Sequence, residues 1–155
     1  MADPERSLRT LMRLRNMGLH LSIDDFGVGY SSLAYLQRLP VYEVKIDRSF
    51  IGDMLHDSSS RTIVQATIDL AHGLGLKVVA EGVENPETFE LLATMGCDSL
   101  QGYHISRPMT AAKLLEWAAR NRDERIVELD ELRTRRLRRD LPSAGQSEAE
   151  NSRPD

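Results

Sequence analysis

Short apolar runs alternate with amphipathic stretches along most of this chain, and glycines, prolines and capping residues mark the joints. Residues 4–17 set Leu8, Leu11, Met12 and Leu14 at near-helical spacing, and Gly18 follows as a stop, which predicts a helix. Residues 19–23 form a short apolar run that ends abruptly in Asp24, Asp25 and a stretch bearing Gly27 and Gly29, so a strand is expected to feed a loop. Ser31 or Ser32 can cap a short helix over 33–39 that Pro40 closes. Residues 41–46 then read as a second strand ending in Lys45 and Asp47. The pattern repeats. Asp57 and the serines 58–60 offer caps for a helix through Ile63, Ala66, Leu70 and Ala71, with Gly73 and Gly75 at its end. Residues 76–80 predict a third strand finishing in Glu81. Asn85 and Pro86 are a cap and a first-turn proline for a helix over 87–95, stopped by Gly96. Residues 99–103 predict a fourth strand carrying Gln101, and Thr110 caps a last helix from Ala111.

Strands that alternate with helices imply β-α units and a parallel sheet. The polar residues collect at the C-terminal strand ends: Asp24 and Asp25, Lys45 and Asp47, Glu81, and Gln101. In a (β/α)8 barrel that rim carries the chemistry. A doubly wound sheet also binds ligands there, but no loop has a G-x-G-x-x-G or G-x-x-x-x-G-K-[ST] pattern, and the barrel is the better reading. A whole barrel takes about 250 residues, and this chain has 155. The expected fold class is therefore α/β: half of a TIM-type (β/α)8 barrel with four β-α units.

The end of the chain changes character. Residues 1–119 carry the repeating pattern, whereas 120–155 open with dense mixed charge and an arginine cluster at Arg135, Arg136, Arg138 and Arg139. Past Leu141, Pro, Ser, Gly, Glu and Asn dominate, so a solvated, charged helical extension and then a disordered tail are expected. The acidic residues around the arginines favour a solvated helix face over nucleic acid or an anionic membrane. With 20 Lys+Arg against 24 Asp+Glu and a net charge of -4, generic nucleic-acid binding is a poor fit. The single Cys97 makes no internal disulfide and fits no zinc spacing. The start lacks an apolar signal segment, and no apolar run nears the roughly 18 residues of a membrane span. A cytoplasmic location is expected. His20, His56, His72 and His104 lack paired ligand spacing, and Trp117, Leu114, Leu115, Met12, Met17 and Met95 are expected to pack in the core.

Adjacent aspartates at a strand end suit hard cations such as Mg2+ or Mn2+. Two such ions activate a water and stabilise a departing phosphate oxygen, and Glu81 offers a third carboxylate from another strand. Lys45 can orient a nucleophilic water or neutralise phosphate charge. The alternative is that Asp24 and Asp25 merely cap the following loop. Charged residues at successive strand ends favour the metal reading.

The run Ser22-Ile-Asp-Asp-Phe-Gly-Val-Gly-Tyr-Ser-Ser-Leu33 resembles the second-half signature of the EAL family, bacterial phosphodiesterases that linearise cyclic di-GMP. Val44-Lys-Ile-Asp-Arg-Ser-Phe50, Val79-Ala-Glu-Gly-Val-Glu84 and Gly96-Cys-Asp-Ser-Leu-Gln-Gly-Tyr103 resemble its next strand-end motifs, in the family's order. The resemblance implies that Asp24 and Asp25 are the metal-binding pair, with Glu81 a further acidic residue of the metal site. It gives Lys45 contact with the attacking water and places Gln101 at the active-site rim. Phe26, Gly27, Val28, Gly29, Tyr30, Ser31 and Ser32 match the loop that couples substrate and metal binding to dimerisation. Asp47 and Glu84 match acidic rim positions for which a structural role is at least as good a reading.

The departures from the family pattern matter as much. The Glu-Ala-Leu strand that names the family does not precede Asp24 here, and its Glu ligand, with the Asn and Glu ligands of the following strands, is missing from these residues. Val28 stands where the family has Thr, removing a hydroxyl. Three readings follow. The chain is a truncated, weak or inactive piece of a cyclic di-GMP phosphodiesterase; or a non-catalytic cyclic di-GMP-binding or protein-interaction module; or a shortened gene product without selected function. A homodimer, or an upstream chain, would complete the barrel.

Overall fold

In the computed structural model, which describes residues 4–28 and 33–121, four strands lie side by side in chain order and run parallel. They are β1 (Ser22–Phe26), β2 (Glu43–Ile46), β3 (Lys77–Glu81) and β4 (Ser99–Gln101). Helices α1 (Pro4–Asn16), α2 (Leu33–Leu36), α3 (Arg48–Asp53), α4 (Ser58–Gly73), α5 (Pro86–Met95) and α6 (Ala111–Asn121) precede, connect and follow them. The expected half-barrel of β-α units is what forms. Gly29, Tyr30, Ser31 and Ser32, with the cap assigned to the serines, lie outside the described residues, as does the expected tail from residue 122 onward.

Alternation along the strands decides the layers. Val44 and Ile46 of β2 pair in register with Val78 and Ala80 of β3, and all four are buried in one cluster with Val64 and Ile68 of α4 and Phe89 and Leu92 of α5. Side chains two apart share a face, so Glu43, Lys45, Val79 and Glu81 turn to the opposite, inner face. The helices begin where the sequence supplies caps. Asp57 accepts from the backbone N–H groups of Ser59 and Ser60 to start α4, and Asn85 accepts from Thr88 at 2.8 Å to start α5. Gly96, at φ 88°, ends α5 in the left-handed conformation.

Several expectations shift. The first strand is three residues later than expected and contains Asp24 and Asp25 instead of ending before them. The first helix after it is shorter, covering Leu33–Leu36. Helix α3 has too short a period to be recognised from the pattern, and Asp47 caps it by accepting from the N–H of Ser49. Met95 is buried as expected, but Met12, Met17, Leu114 and Leu115 are exposed, and Trp117 is only half-buried. Both flanking helices are amphipathic, and no described side chain of either is buried.

Candidate metal centre at the strand ends

Two neighbouring residues of a regular strand point to opposite faces, so Asp24 and Asp25 would ordinarily be kept apart. A bulge brings them together. Ile23 pairs with Val44 and Phe26 with Ile46, so β1 spends one more residue than β2 over the same stretch. Asp25 takes up the difference with φ 51°, in the left-handed region that Asp tolerates better than most side chains. As a result a carboxylate oxygen from each of Asp24, Asp25 and Glu81 lies within 4.8 Å of the other two.

Lys45, between them on β2, donates to Asp24 Oδ1 at 3.1 Å and pairs with Glu81 Oε1. Its hydrogen bond to Glu81, then that to Asp24, holds the Lys45 pKa above its ordinary value against a smaller opposing effect of burial. The ammonium therefore keeps its proton at neutral pH and tethers two of the three acids. The carboxylate set is hard, oxygen-only and partly open to solvent, which fits a hard divalent cation.

Glycines shape the rim beside these groups. Gly82, directly after Glu81, has φ 77°, and a Cβ there would run into the side chain of Arg48. Gly102, directly after Gln101, lies so close to the backbone of Val83 that no side chain fits. That approach lets Val83 N–H donate to the Gln101 carbonyl at 3.0 Å, fixing the ends of β3 and β4 against each other. Glu81 and Gln101 are direct register partners.

Asp24, Asp25, Glu81 and Lys45 thus converge, and Gln101 sits exposed on the adjacent strand end. Asp47 is engaged in capping α3, where the hydroxyl and N–H of Ser49 hold its carboxyl below the usual range. Glu84 is exposed in the turn after β3. Of the loop, Phe26 is buried in the core, while Gly27 and Val28 are exposed. Sequence reasoning overlooked Glu43, which accepts from Ser22 Oγ at 2.6 Å. Its two-residue spacing from Lys45 was the available signal.

A second polar cluster marks the opposite rim. Asp98 accepts from Lys77 Nζ at 2.7 Å and from Val78 N–H at 3.0 Å, and lies 2.7 Å from His72 Nε2. At the N-terminal ends of barrel strands such contacts serve stability.

Against known proteins, the EAL domain family matches residues 1–108 of the chain. The bifunctional diguanylate cyclase/cyclic di-GMP phosphodiesterase MucR of Pseudomonas aeruginosa is 53% identical over 115 residues, which is 74% of this chain and 17% of MucR. The solved cyclic di-GMP complex of the MucR phosphodiesterase superposes with a TM-score of 0.69, covering 74% of this chain and 46% of that one. The EAL domain of Mycobacterium smegmatis DcpA gives a TM-score of 0.72 at 40% identity, covering 77% of this chain and 54% of that one. The manganese/cyclic di-GMP complex of Klebsiella pneumoniae BlrP1 gives 0.60 at 38% identity, covering 64% of this chain and 26% of that one. The chain spans about half of the DcpA domain and less than a fifth of MucR.

Proposed function

Because the chain belongs to the EAL domain family, we propose that it supplies one half of the active site of a cyclic di-GMP phosphodiesterase that yields linear pGpG. The observation that supports this most is the convergence of Asp24, Asp25 and Glu81 through the bulge in β1. These three side chains would hold Mg2+ or Mn2+. When bound, a pair of such ions supplies Lewis-acid stabilisation of phosphoryl charge and an activated water. Lys45, protonated and tethered between Asp24 and Glu81, orients the attacking water and opposes the negative charge that grows on the phosphate. Gln101 offers amide donors to the substrate from the neighbouring strand end, and residues 26–32, by their match to the family's loop, would couple substrate and metal binding to dimerisation. Asp47 and Glu84 lie beyond this cluster, and the capping bond of Asp47 supports a structural role.

A hard divalent cation takes about six ligands, with water completing what the protein does not supply, and three carboxylates shared between two ions would hold the pair weakly and in poor geometry. These 155 residues on their own therefore turn over weakly or not at all. A second reading, a cyclic di-GMP-binding module without turnover, draws support from the way Lys45 already engages both Asp24 and Glu81, offsetting one of their two charges. The deciding experiment incubates the purified chain with cyclic di-GMP and Mg2+ or Mn2+, beside Asp25→Ala, and follows pGpG by chromatography and ligand binding by calorimetry. Metal-dependent pGpG lost in Asp25→Ala means that the chain alone suffices. Binding without product favours the module, and neither binding nor product removes the nucleotide from both readings.

A further inference from the structure

Helix α3 leaves the rim directly behind Lys45. Only Ile46 separates that lysine from Asp47, which caps the helix by accepting from the N–H of Ser49 at 2.9 Å. The helix is short but firmly seated, because Ile51 and, at its C-terminal cap, Met54 are completely buried. Two of its residues reach the other two strand ends of the candidate metal centre. Phe50 lies against Gly27, two residues after Asp25, where a Cβ on the glycine would stand 2.9 Å from Cε2 of the ring. Arg48 lies against Gly82, the residue after Glu81, where a Cβ would stand 2.5 Å from Cβ of the arginine. Both glycines have positive φ, 101° and 77°. Each lets the chain turn directly off its strand and lets α3 come into contact with it.

Such contacts matter most where the backbone would otherwise relax. Asp25, at φ 51°, is in a conformation that an L-residue leaves unless its surroundings over-determine it. The turn after it is closed by Val28 N–H donating to the Asp25 carbonyl at 3.1 Å, and Gly27 lies inside that turn. One hydrogen bond at the surface is weak restraint. A ring packed against the turn, on a helix rooted in the core, is a stronger one, because close-packed interiors yield little.

We propose that α3 is the positioning element of the metal centre. Phe50, against Gly27, holds Asp25 in its left-handed conformation, and Arg48, against Gly82, fixes the strand end that carries Glu81. Both carboxylates thereby stay within reach of one cation. Neither Phe50 nor Arg48 is among the ligand atoms; both act through the backbone that they touch. What the carboxylates hold rests on the metal reading above, whereas the positioning of Asp25 does not.

The test uses the full chain and two readouts. NMR reads the Asp25 backbone through the strong intraresidue HN–Hα cross-peak that a positive φ produces, and Mn2+ titration reads the carboxylates. Phe50→Leu keeps an apolar side chain but removes the ring atoms that meet Gly27. It should weaken the cross-peak and lower Mn2+ affinity by about tenfold, as loss of support behind a metal ligand does. Asp98→Asn, at the opposite rim, controls for lost stability in general and should change neither. Gly27→Ala should cost less in urea unfolding when combined with Phe50→Leu than alone, because backbone strain is common to both backgrounds and only the collision differs. An unchanged cross-peak in Phe50→Leu, an equal loss in Asp98→Asn, or strictly additive costs overturns the proposal. A parent chain that binds no Mn2+ counts against the metal reading, and the cross-peak and the unfolding cycle then decide on α3 alone. Should Phe50→Leu fail to fold, Gly82→Ala tests the second contact: it should be destabilised, and Arg48→Gly should recover part of that loss. No recovery overturns the proposal.

Discussion

Asp25 holds a left-handed backbone, φ 51°, that most residues avoid. For an L-residue this costs about 1–2 kcal/mol, and glycine escapes the cost. The expense is explicable by what it achieves, since without the bulge Asp24 and Asp25 would face opposite sides of the sheet. We expect Asp25→Gly to be as stable as the parent or more so, and Asp25→Ala to be less stable, with both losing Mn2+ affinity. Urea unfolding with Mn2+ titration checks this, and a glycine variant less stable than the alanine variant would place the strain elsewhere. Cys97 is the contrasting case of a chemically capable residue that is silenced. Burial pushes its thiol up to about 12, and its Sγ lies 3.3 Å from the Ser99 carbonyl. A disulfide reagent at mildly alkaline pH should therefore react with the unfolded chain and leave the folded one nearly untouched; fast labelling of the native chain would contradict this. The sequence made the acidic pair and Glu81 visible as types at strand ends. It did not reveal the bulge, because period-two alternation is the rule that a bulge breaks.

Among the elements, Asp98 joins three: α4 through His72, β3 through Lys77 and the N–H of Val78, and the turn into β4 on which it sits. Burial alone would raise its pKa, but the hydrogen bonds from Lys77, His72 and Val78 outweigh that and hold it below the ordinary carboxylate value. A carboxyl lowered by folding stabilises the native state above its unfolded pKa, about 3.9, and that contribution fades as pH falls through the lower folded value. Asp98→Asn should thus cost stability at neutral pH and flatten the decline on acidification. Urea midpoints taken from about pH 6 downward measure both, and parallel curves for parent and variant would refute the assignment. This clip was not legible in the sequence, since His72, Lys77 and Asp98 are neighbours only after the β-α unit closes. Helix α3 escaped for a different reason. Six residues, Arg48–Asp53, are too few to display a helical period, and Asp47 was read for its charge at a strand end instead of its cap. The longer elements α4 and α5 were legible because cap, period and stop agreed in each.

For the whole molecule, pattern fixed which sides of the helices are apolar but not what covers them. Met12, Met17, Leu114 and Leu115 fit a core by spacing, yet the core lies elsewhere, between β2, β3 and helices α3 to α5. Stability follows that distribution, because local opening is easiest where few apolar side chains are buried. In hydrogen exchange, amides of Val44, Ile46, Val78 and Ala80 should exchange slowest and those of α1 and α6 fastest, with β1 and β4 between them. Equal exchange rates across the sheet would instead mean that the edges are no less stable than the centre. That result would contradict the placing of the stable core between β2, β3 and helices α3 to α5, independently of whether any cyclic di-GMP is hydrolysed.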